Sequence, residues 1–290
     1  MRLDIPGGPP DLLAPPPPLD AVGVRGKRST KTRQRLISVL YTVLGVGLFF
    51  AAWWCAASQL PRSRLVTPLD AGRDIWANFF YSPRLGVFGL GEVGYGSLLL
   101  YTVGNVLVGL VIGGAIGILI GTASARLKLL RVFVDPIVLV FGTVPVLVAA
   151  PLFLLWFGVV PFTQVLLVTL YSAVMMILFS QRAAQNINPV YERWAMTFGA
   201  GSVFRIRHIL IPGIVPEIIG GLRITLASAW GLEVFAEILG APSGLGQAIK
   251  ALTNLNNVPG LLACVVIIAA TAILTDALLF ALARRIAVWA

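Results

Sequence analysis

Few side chains in this sequence could perform chemistry. His208 is the single histidine, and the two cysteines, Cys55 and Cys264, lie in separate apolar runs. A metal centre or a nucleophile with its base needs several such groups together. The sequence also lacks the glycine-rich loop ending in Gly-Lys-Ser/Thr that binds ATP phosphates. We therefore expect no catalysis, no metal and no nucleotide on this chain, and we interpret both cysteines as packing residues.

Two acidic residues stand out because they lie in an apolar run. Glu233 and Glu237 are four residues apart and share one face of a helix. An ionisable group in a membrane is costly unless it meets water or a partner, so we interpret both as a polar wall or gate of a pathway. The alternative for Glu237 is a position at the membrane interface with no such role. Arg223 would offset one charge only through another helix or subunit.

Composition defines the class of protein. Of 290 residues, 58% are hydrophobic and 12% are charged, and the mean hydropathy is +0.90. These values exceed those of soluble domains and indicate a polytopic membrane protein. The net charge of +10 comes from basic clusters at the ends of apolar runs. That pattern is typical of contacts with anionic lipid, and it gives no reason to expect a nucleic-acid partner.

The apolar runs predict an all-α fold with six transmembrane helices. The two middle spans are joined by a turn at residues 158–161, and a short amphipathic surface helix is predicted at residues 69–80. Glycine recurs every fourth residue at Gly109, Gly113, Gly117 and Gly121, which predicts close helix packing. The predicted spans are 36–58, 97–122, two within 136–181, 213–239 and 260–283.

The N-terminal segment differs from the rest. Residues 1–35 are proline-rich and basic, which predicts a disordered tail, and residues 36–290 form the predicted transmembrane domain. Ala56-Ala57-Ser58 resembles a signal-peptide cleavage site, but the preceding run is longer than a signal core, so we expect an uncleaved anchor. The distribution of Lys and Arg predicts that both termini are cytoplasmic.

Pro145 and Pro151 lie within the third predicted span. A proline in a span removes one backbone hydrogen bond, so the helix kinks and a carbonyl needs another partner. We interpret this span as a kinked helix that lines the translocation pathway. A kink that serves packing alone is the alternative.

A polar segment between the fourth and fifth spans begins at Asn188-Pro189, which is a helix-start signal. A helix is predicted at residues 190–198, and Gly199 and Gly201 end it. Trp194 and Phe198 are four residues apart and form one apolar face. This helix is either a docking surface or an ordinary linker.

The segment resembles the signature of the permease subunits of binding-protein-dependent ABC importers. In that signature a Glu-Ala-Ala motif is followed by Gly, nine residues, and then Ile, any residue, Leu and Pro; here nine residues separate Gly199 from Ile209-Leu210-Ile211-Pro212. Further motifs resemble the nitrate, sulfonate and taurine branch of the family. They are Asp135-Pro136, Pro145, Pro151 with Leu155-Trp156-Phe157-Gly158, Gly221-Leu222-Arg223, Ala236-Glu237-Ile238-Leu239-Gly240 and Ser243-Gly244-Leu245-Gly246.

The resemblance implies a type I importer-like permease in the bacterial inner membrane. Its expected partners are two copies of a cytoplasmic ATPase that holds ATP and Mg, a second permease copy in a homodimer, and an extracytoplasmic solute-binding protein. The expected solute is nitrate, a sulfonate, taurine or a similar small anion. The residues expected to couple to the ATPase are Glu192, Arg193, Trp194, Ala195, Phe198, Gly199, Ile209 and Pro212.

The sequence departs from the signature at one place. Arg193 occupies the position of the family's acidic residue, and Glu192 precedes it. A shift of one residue rotates a side chain by about 100° on a helix, so Glu192 does not simply replace the acid. Arg205, Arg207 and His208 are expected to pair either with acids on the ATPase or with lipid phosphates.

Two other functions are possible for a polytopic membrane protein. A self-sufficient secondary transporter or channel is the main alternative, and it predicts inverted repeats and a broken-helix ion site. The hydropathy pattern shows neither. An intramembrane enzyme would need paired acids or a nucleophile with a base in the spans, and the single histidine disfavours it.

Overall fold

The computed structural model describes residues 27–91, 93–144 and 146–286. Throughout this part of the chain the regular structure is helical, as predicted. The helices are α1 (Lys27–Gln59), α2 (Pro68–Asn78), α3 (Pro83–Gly86), α4 (Tyr95–Arg126), α5 (Lys128–Thr143), α6 (Val146–Phe157), α7 (Pro161–Asn186), α8 (Pro189–Thr197), α9 (Ser202–Arg205), α10 (Ile211–Leu239), α11 (Leu245–Asn254) and α12 (Val258–Ile286), with a π-helical turn at Ile206–Leu210 before α10.

Five helices in the described residues are long and apolar enough to cross a membrane, and the pair α5 and α6 brings the number to six if it counts as one span. The two helices of that pair are bent by 96°. The prediction of six spans is therefore confirmed, with the third one broken. Val144 is extended at the break, with φ −81° and ψ 120°, because a residue that precedes a proline disfavours the helical region.

Helix α1 begins at Lys27, earlier than the predicted span. Residues 27–35, which were expected in the tail, are therefore helical, and residues 1–26 lie outside the described part of the chain. Lys and Arg are good helix formers, so a helix can continue beyond the apolar run. The aromatic rings of Phe50 and Trp53 stack within α1, with their centroids 6.2 Å apart.

The closest helix packing lies between α4 and α7. A Cβ atom on Gly109 would lie 2.6 Å from the Cβ of Val168, and one on Gly117 would lie 2.5 Å from the carbonyl oxygen of Ala173. The Ser180 hydroxyl donates to the Gly117 carbonyl at 3.2 Å across the same contact. The predicted role of the glycine stripe is confirmed, since only glycine allows these two backbones to approach so closely.

The predicted amphipathic helix at residues 69–80 is confirmed as α2, and Thr67 caps it by accepting the Asp70 N–H at 3.2 Å. Asp74 of α2 is buried and accepts the Tyr95 hydroxyl at 2.8 Å and the Arg84 guanidinium at 2.9 Å. These bonds join α2 and α3 to the start of α4.

Helix α11 was not predicted, because Pro and Gly residues dominate the start of the connection at residues 240–259. Its Leu245, Ala248 and Leu252 are buried in a cluster with Tyr95 and Cys264. The burial of Cys264 agrees with its interpretation as a packing residue, whereas Cys55 on α1 is exposed.

Candidate functional site

Helix α8 is a separate short helix with defined ends. The Asn188 side chain accepts the Val190 N–H at 3.0 Å, and Pro189 is the first helical residue. Gly199 ends the helix with φ +75°, a conformation that favours glycine. Its N–H donates to the Met196 carbonyl at 3.0 Å. The predicted start and stop signals are therefore confirmed.

No residue of α8 is buried. The Trp194 side chain is 67% exposed and that of Phe198 is 87% exposed. The exposed apolar surface continues into the next turn at Val203 and Phe204. Large aromatic side chains on one exposed face are typical of an interaction surface. We call Tyr191, Trp194, Phe198, Val203 and Phe204 the aromatic surface.

Glu192 has a partner inside the chain. Its carboxylate accepts a hydrogen bond from the guanidinium of Arg126, the last residue of α4. Within this chain the Glu192 carboxylate is directed toward α4, and its expected contact with an ATPase stays a prediction. The signal for this pairing was present in the basic cluster that follows α4, but pairing across so many residues is not readable from one sequence.

The hydrogen bond from Arg126 lowers the pKa of the Glu192 carboxyl below its ordinary value, and the charges of Arg126 and Arg205 act in the same direction. The carboxylate is therefore ionised at neutral pH. The Arg131 side chain donates to the Ala125 carbonyl at 2.8 Å and so caps the end of α4. Together these contacts join α4, α5 and α8 at one end of the bundle, which we call the basic end.

Arg193 takes no part in these contacts. Its side chain is exposed, and it forms no hydrogen bond or ion pair with the residues that the structure describes. Ala195 is half-buried, whereas Gly199 has open space around its Cα. The space at Gly199 leaves room for a partner to approach the end of α8 closely, and the coupling role of Gly199 stays a prediction.

The chain returns to the membrane through the π-helical turn. Pro212 lies in the first turn of α10. Because proline has no N–H, the preceding turn lacks one backbone donor, and that turn is π-helical. Leu210 is buried, Ile209 is half-buried, and the ring of His208 stacks on Phe204 with centroids 4.3 Å apart. The signature residues therefore form the connection between α8 and α10.

Glu233 and Glu237 are both fully buried. The Glu237 carboxylate accepts the Thr102 hydroxyl at 2.8 Å and the Gly246 N–H at 2.7 Å. Glu233 accepts the Asn105 amide at 2.8 Å. A second copy of the chain would only bury them further, so neither carboxylate faces a pathway between copies in this conformation. In this state α4 covers both groups and the loop after α10 closes on Glu237, so a role of the two glutamates as a polar wall or gate stays a prediction.

The loop after α10 closes on Glu237. Gly244 has φ +111°, and a Cβ there would collide with the Glu237 carboxylate. Gln247 donates to the Glu237 carbonyl at 2.8 Å, and Gln164 donates to the Gly240 carbonyl at 2.8 Å. The carboxylate thus organises the residues 240–246, and a gate role would require this loop to open.

Arg223 does not offset either glutamate. It forms a two-pronged ion pair with Asp276 of α12, with Nε–Oδ1 and Nη2–Oδ2 distances of 2.7 and 2.6 Å. Arg223 also lies over the Phe280 ring, 4.8 Å from its centroid. This partner lies on another helix, as the sequence spacing required, but it is Asp276 and not Glu233 or Glu237.

The predicted pathway prolines are only partly described. Pro151 lies inside α6 and is exposed, whereas Pro145 lies outside the described residues. A polar cleft of about 410 Å³ lies between α5 and α7, and Gln181 donates to Asp135 across it at 2.8 Å. Sequence reasoning missed this cleft, whose polar lining residues are Asp135, Thr143, Gln181, Arg182 and Gln185.

The fold and the exposed helix define a class of protein: a polytopic membrane bundle that presents an uncovered aromatic surface at its basic end. Residues 113–288 match the family described as binding-protein-dependent transport system inner membrane component. The chain belongs to this family, and it is an inner-membrane protein.

Named relatives lie in the branch that the motifs indicated. The chain is 31% identical over 173 residues to the taurine transport system permease protein of Escherichia coli (strain K12), which covers 60% of this chain and 63% of that protein. It is 29% identical over 208 residues to the nitrate import permease protein of Synechococcus elongatus, covering 71% of this chain and 74% of that one. The match therefore spans less than two thirds of the taurine relative.

A solved structure shares the fold. It is the crystal structure of a bacterial ABC transporter involved in the import of the acidic polysaccharide alginate, with a TM-score of 0.57 and 19% identity. The match covers 90% of this chain and 99% of that chain. The resemblance and the type I importer-like fold stated from the sequence are confirmed.

Proposed function

We propose that this chain is the transmembrane subunit of an ATP-driven ABC importer. It forms the translocation pathway for a small solute that an extracytoplasmic binding protein delivers. The family match and the named relatives support this function. The main observation in favour of this function is the aromatic surface, formed by α8 and the segment that follows it. Nothing in the described part of the chain covers this surface.

The proposed arrangement has both termini and α8 in the cytoplasm, where the basic end would meet two ATPase subunits. ATP and Mg would be bound by those subunits, and this chain would be non-catalytic. A second copy of the permease would complete the pathway as a homodimer, since closed two-fold assemblies are the commonest oligomers. The remaining partner is membrane lipid.

The contacts at the basic end support a mechanical role for α8. A displacement of α8 by a closing ATPase dimer would be passed through the Glu192–Arg126 pair to α4. The glycine stripe of α4 would then transmit this displacement to α7, because the backbones of α4 and α7 are in close contact there. The two states would differ in contact energy with the nucleotide-bound ATPase, which is what couples ATP to the pathway.

Nitrate, a sulfonate, taurine or a similar small anion is the proposed solute, by analogy with the printed names of the relatives. A glutamate exposed in the pathway would disfavour an anionic solute, and Glu233 raises this objection. Its burial against Asn105 removes that objection, because the carboxylate does not meet the pathway in this state.

The test is uptake into proteoliposomes. The chain would be reconstituted alone, and together with candidate ATPase and binding-protein subunits from the same organism. Radiolabelled nitrate, taurine and ethanesulfonate would be offered, with ethylamine as the cationic control. We expect uptake of an anion or a zwitterion only with all components and ATP. Solute flux by the chain alone would support a secondary transporter or channel and would contradict the proposal.

A further inference from the structure

We propose that the surface of the ATPase facing α8 is an apolar groove with an acidic residue opposite Arg193. This inference rests on the proposed function and adds the charge of the partner to it. The relevant surface consists of α8 and the turn that follows it, residues 189–208.

The charges on this surface are unbalanced. Glu192 is the single acidic residue between positions 189 and 208, whereas Arg193, Arg205 and Arg207 are basic. Arg193 and Arg207 are exposed, and Arg205 is half-buried with its Nη2 donating to Ser202 at 3.2 Å. The surface therefore presents positive charge around the aromatic side chains.

The one acid is already paired within the chain. Arg126 donates to one oxygen of the Glu192 carboxylate, and Arg205 adds positive charge near it. A basic residue on the ATPase placed opposite α8 would meet Arg193 and would find the one acid of this surface already neutralised by Arg126. Like charges facing each other across an interface disfavour binding, so the matching surface must be acidic.

Arg193 is next to Trp194, whose ring is 67% exposed. Arg193 lies about 100° around α8 from Trp194, so when Trp194 enters an apolar groove the guanidinium of Arg193 lies at the side of the helix, at the rim of that groove. A carboxylate at that rim would accept hydrogen bonds from the guanidinium, the strongest pairing that an arginine makes. Lipid phosphate is the competing partner for exposed arginines near a membrane, and the experiment below distinguishes the two.

The experiment measures binding of the purified ATPase subunit that supports uptake in the proteoliposome assay. The full-length chain would be held in nanodiscs of phosphatidylcholine, with and without phosphatidylglycerol. Arg193→Gln and Arg193→Glu would be compared with Arg285→Glu, the same change of charge at an exposed position near the end of α12. Thermal unfolding of each variant would confirm that it is folded.

We expect Arg193→Gln to weaken the Kd about fivefold and Arg193→Glu about 50-fold in both kinds of nanodisc, with Arg285→Glu within about twofold. Replacing each acidic residue on the ATPase groove by Lys should reveal one position that restores at least about tenfold of the affinity of Arg193→Glu. A loss confined to phosphatidylglycerol nanodiscs would assign Arg193 to lipid and overturn the inference. Unchanged affinity, or no restoring position, would also overturn it. If the unaltered chain does not bind the ATPase, the proposed function itself fails.

Discussion

The Glu192 carboxylate accepts a hydrogen bond from the guanidinium of Arg126, although 66 residues separate them in sequence. This bond joins the exposed helix α8 to the end of α4. The glycine stripe of α4 is in turn packed against α7. Helix α8 is therefore connected to α7 through one ion pair with α4 and through the close backbone contact between α4 and α7.

Glu192→Gln is predicted to reduce the number of solute molecules imported per ATP hydrolysed by about fivefold or more. The variant removes the charge that holds Arg126, so α8 would move without α4. An exposed ion pair contributes less than about 1 kcal/mol to the free energy of unfolding, so the fold should survive. The measurement is uptake and phosphate release in the same proteoliposomes.

The control exchanges the charges. In the double variant Glu192→Arg with Arg126→Glu, the pair is rebuilt in the opposite sense and coupling should recover in part. Normal coupling in Glu192→Gln, or no recovery in the exchange, would show that this ion pair does not transmit the movement.

The same pair gives a pH dependence. The pKa of Glu192 is lowered in the folded chain, so its stabilisation is fully present above the unfolded value of about 4.3 and is lost as the pH falls through the folded value. The difference in free energy of unfolding between the unaltered chain and Glu192→Gln should be constant from about pH 6 to 8, and should shrink on acidification below about pH 4. A difference that grows with acidification would contradict the assignment.

The close packing of α4 against α7 predicts that two glycines of α4 respond differently to substitution by alanine. Gly117→Ala would place a methyl group 2.5 Å from the Ala173 carbonyl oxygen, whereas Gly104 has nothing within 4 Å of the corresponding position. We expect Gly117→Ala to lower the free energy of unfolding by about 1–3 kcal/mol. Gly104→Ala should leave it unchanged or raise it slightly. Equal thermal stability of the two variants in detergent would show that α4 and α7 are packed less closely at Gly117 than described.

Glu237 is predicted to hold the loop at residues 240–246. In Glu237→Ala both oxygens are removed, so the buried Gly246 N–H loses its acceptor, whereas the Thr102 hydroxyl keeps the Leu98 carbonyl as an acceptor. We expect a loss of about 2 kcal/mol or more in the free energy of unfolding. Glu217→Ala is the matched control on α10, since Glu217 is only half-buried and accepts a 3.3 Å bond from Asn186. A control that is as destabilised as Glu237→Ala would count against this role.

Local sequence signals predicted much of the fold. Apolar run lengths gave the spans, and Asn188-Pro189 with Gly199 gave both ends of α8, because capping and glycine conformation depend on adjacent residues. Helix α11 was missed because its stability comes from burying Leu245 and Leu252 against distant helices. Proline and glycine at the start of the connection concealed it.

The candidate site was predicted less well than the fold. Glu192, Glu233 and Arg223 each have partners that lie far away in sequence, namely Arg126, Asn105 and Asp276. One sequence shows that a charge in an apolar run needs a partner, but it does not show which one, because pairing across helices depends on their relative rotation and depth.

The most direct test of the central claim is the accessibility of α8 with and without the ATPase. Phe198→Cys would be prepared in a Cys55→Ser background, since Cys55 is exposed and Cys264 is buried, and a membrane-impermeant maleimide would be applied to right-side-out and inside-out vesicles. We expect labelling only in inside-out vesicles, and protection when the ATPase subunit is added. Labelling in right-side-out vesicles, or full labelling in the presence of bound ATPase, would contradict the proposal that α8 is a cytoplasmic docking helix for the ATPase.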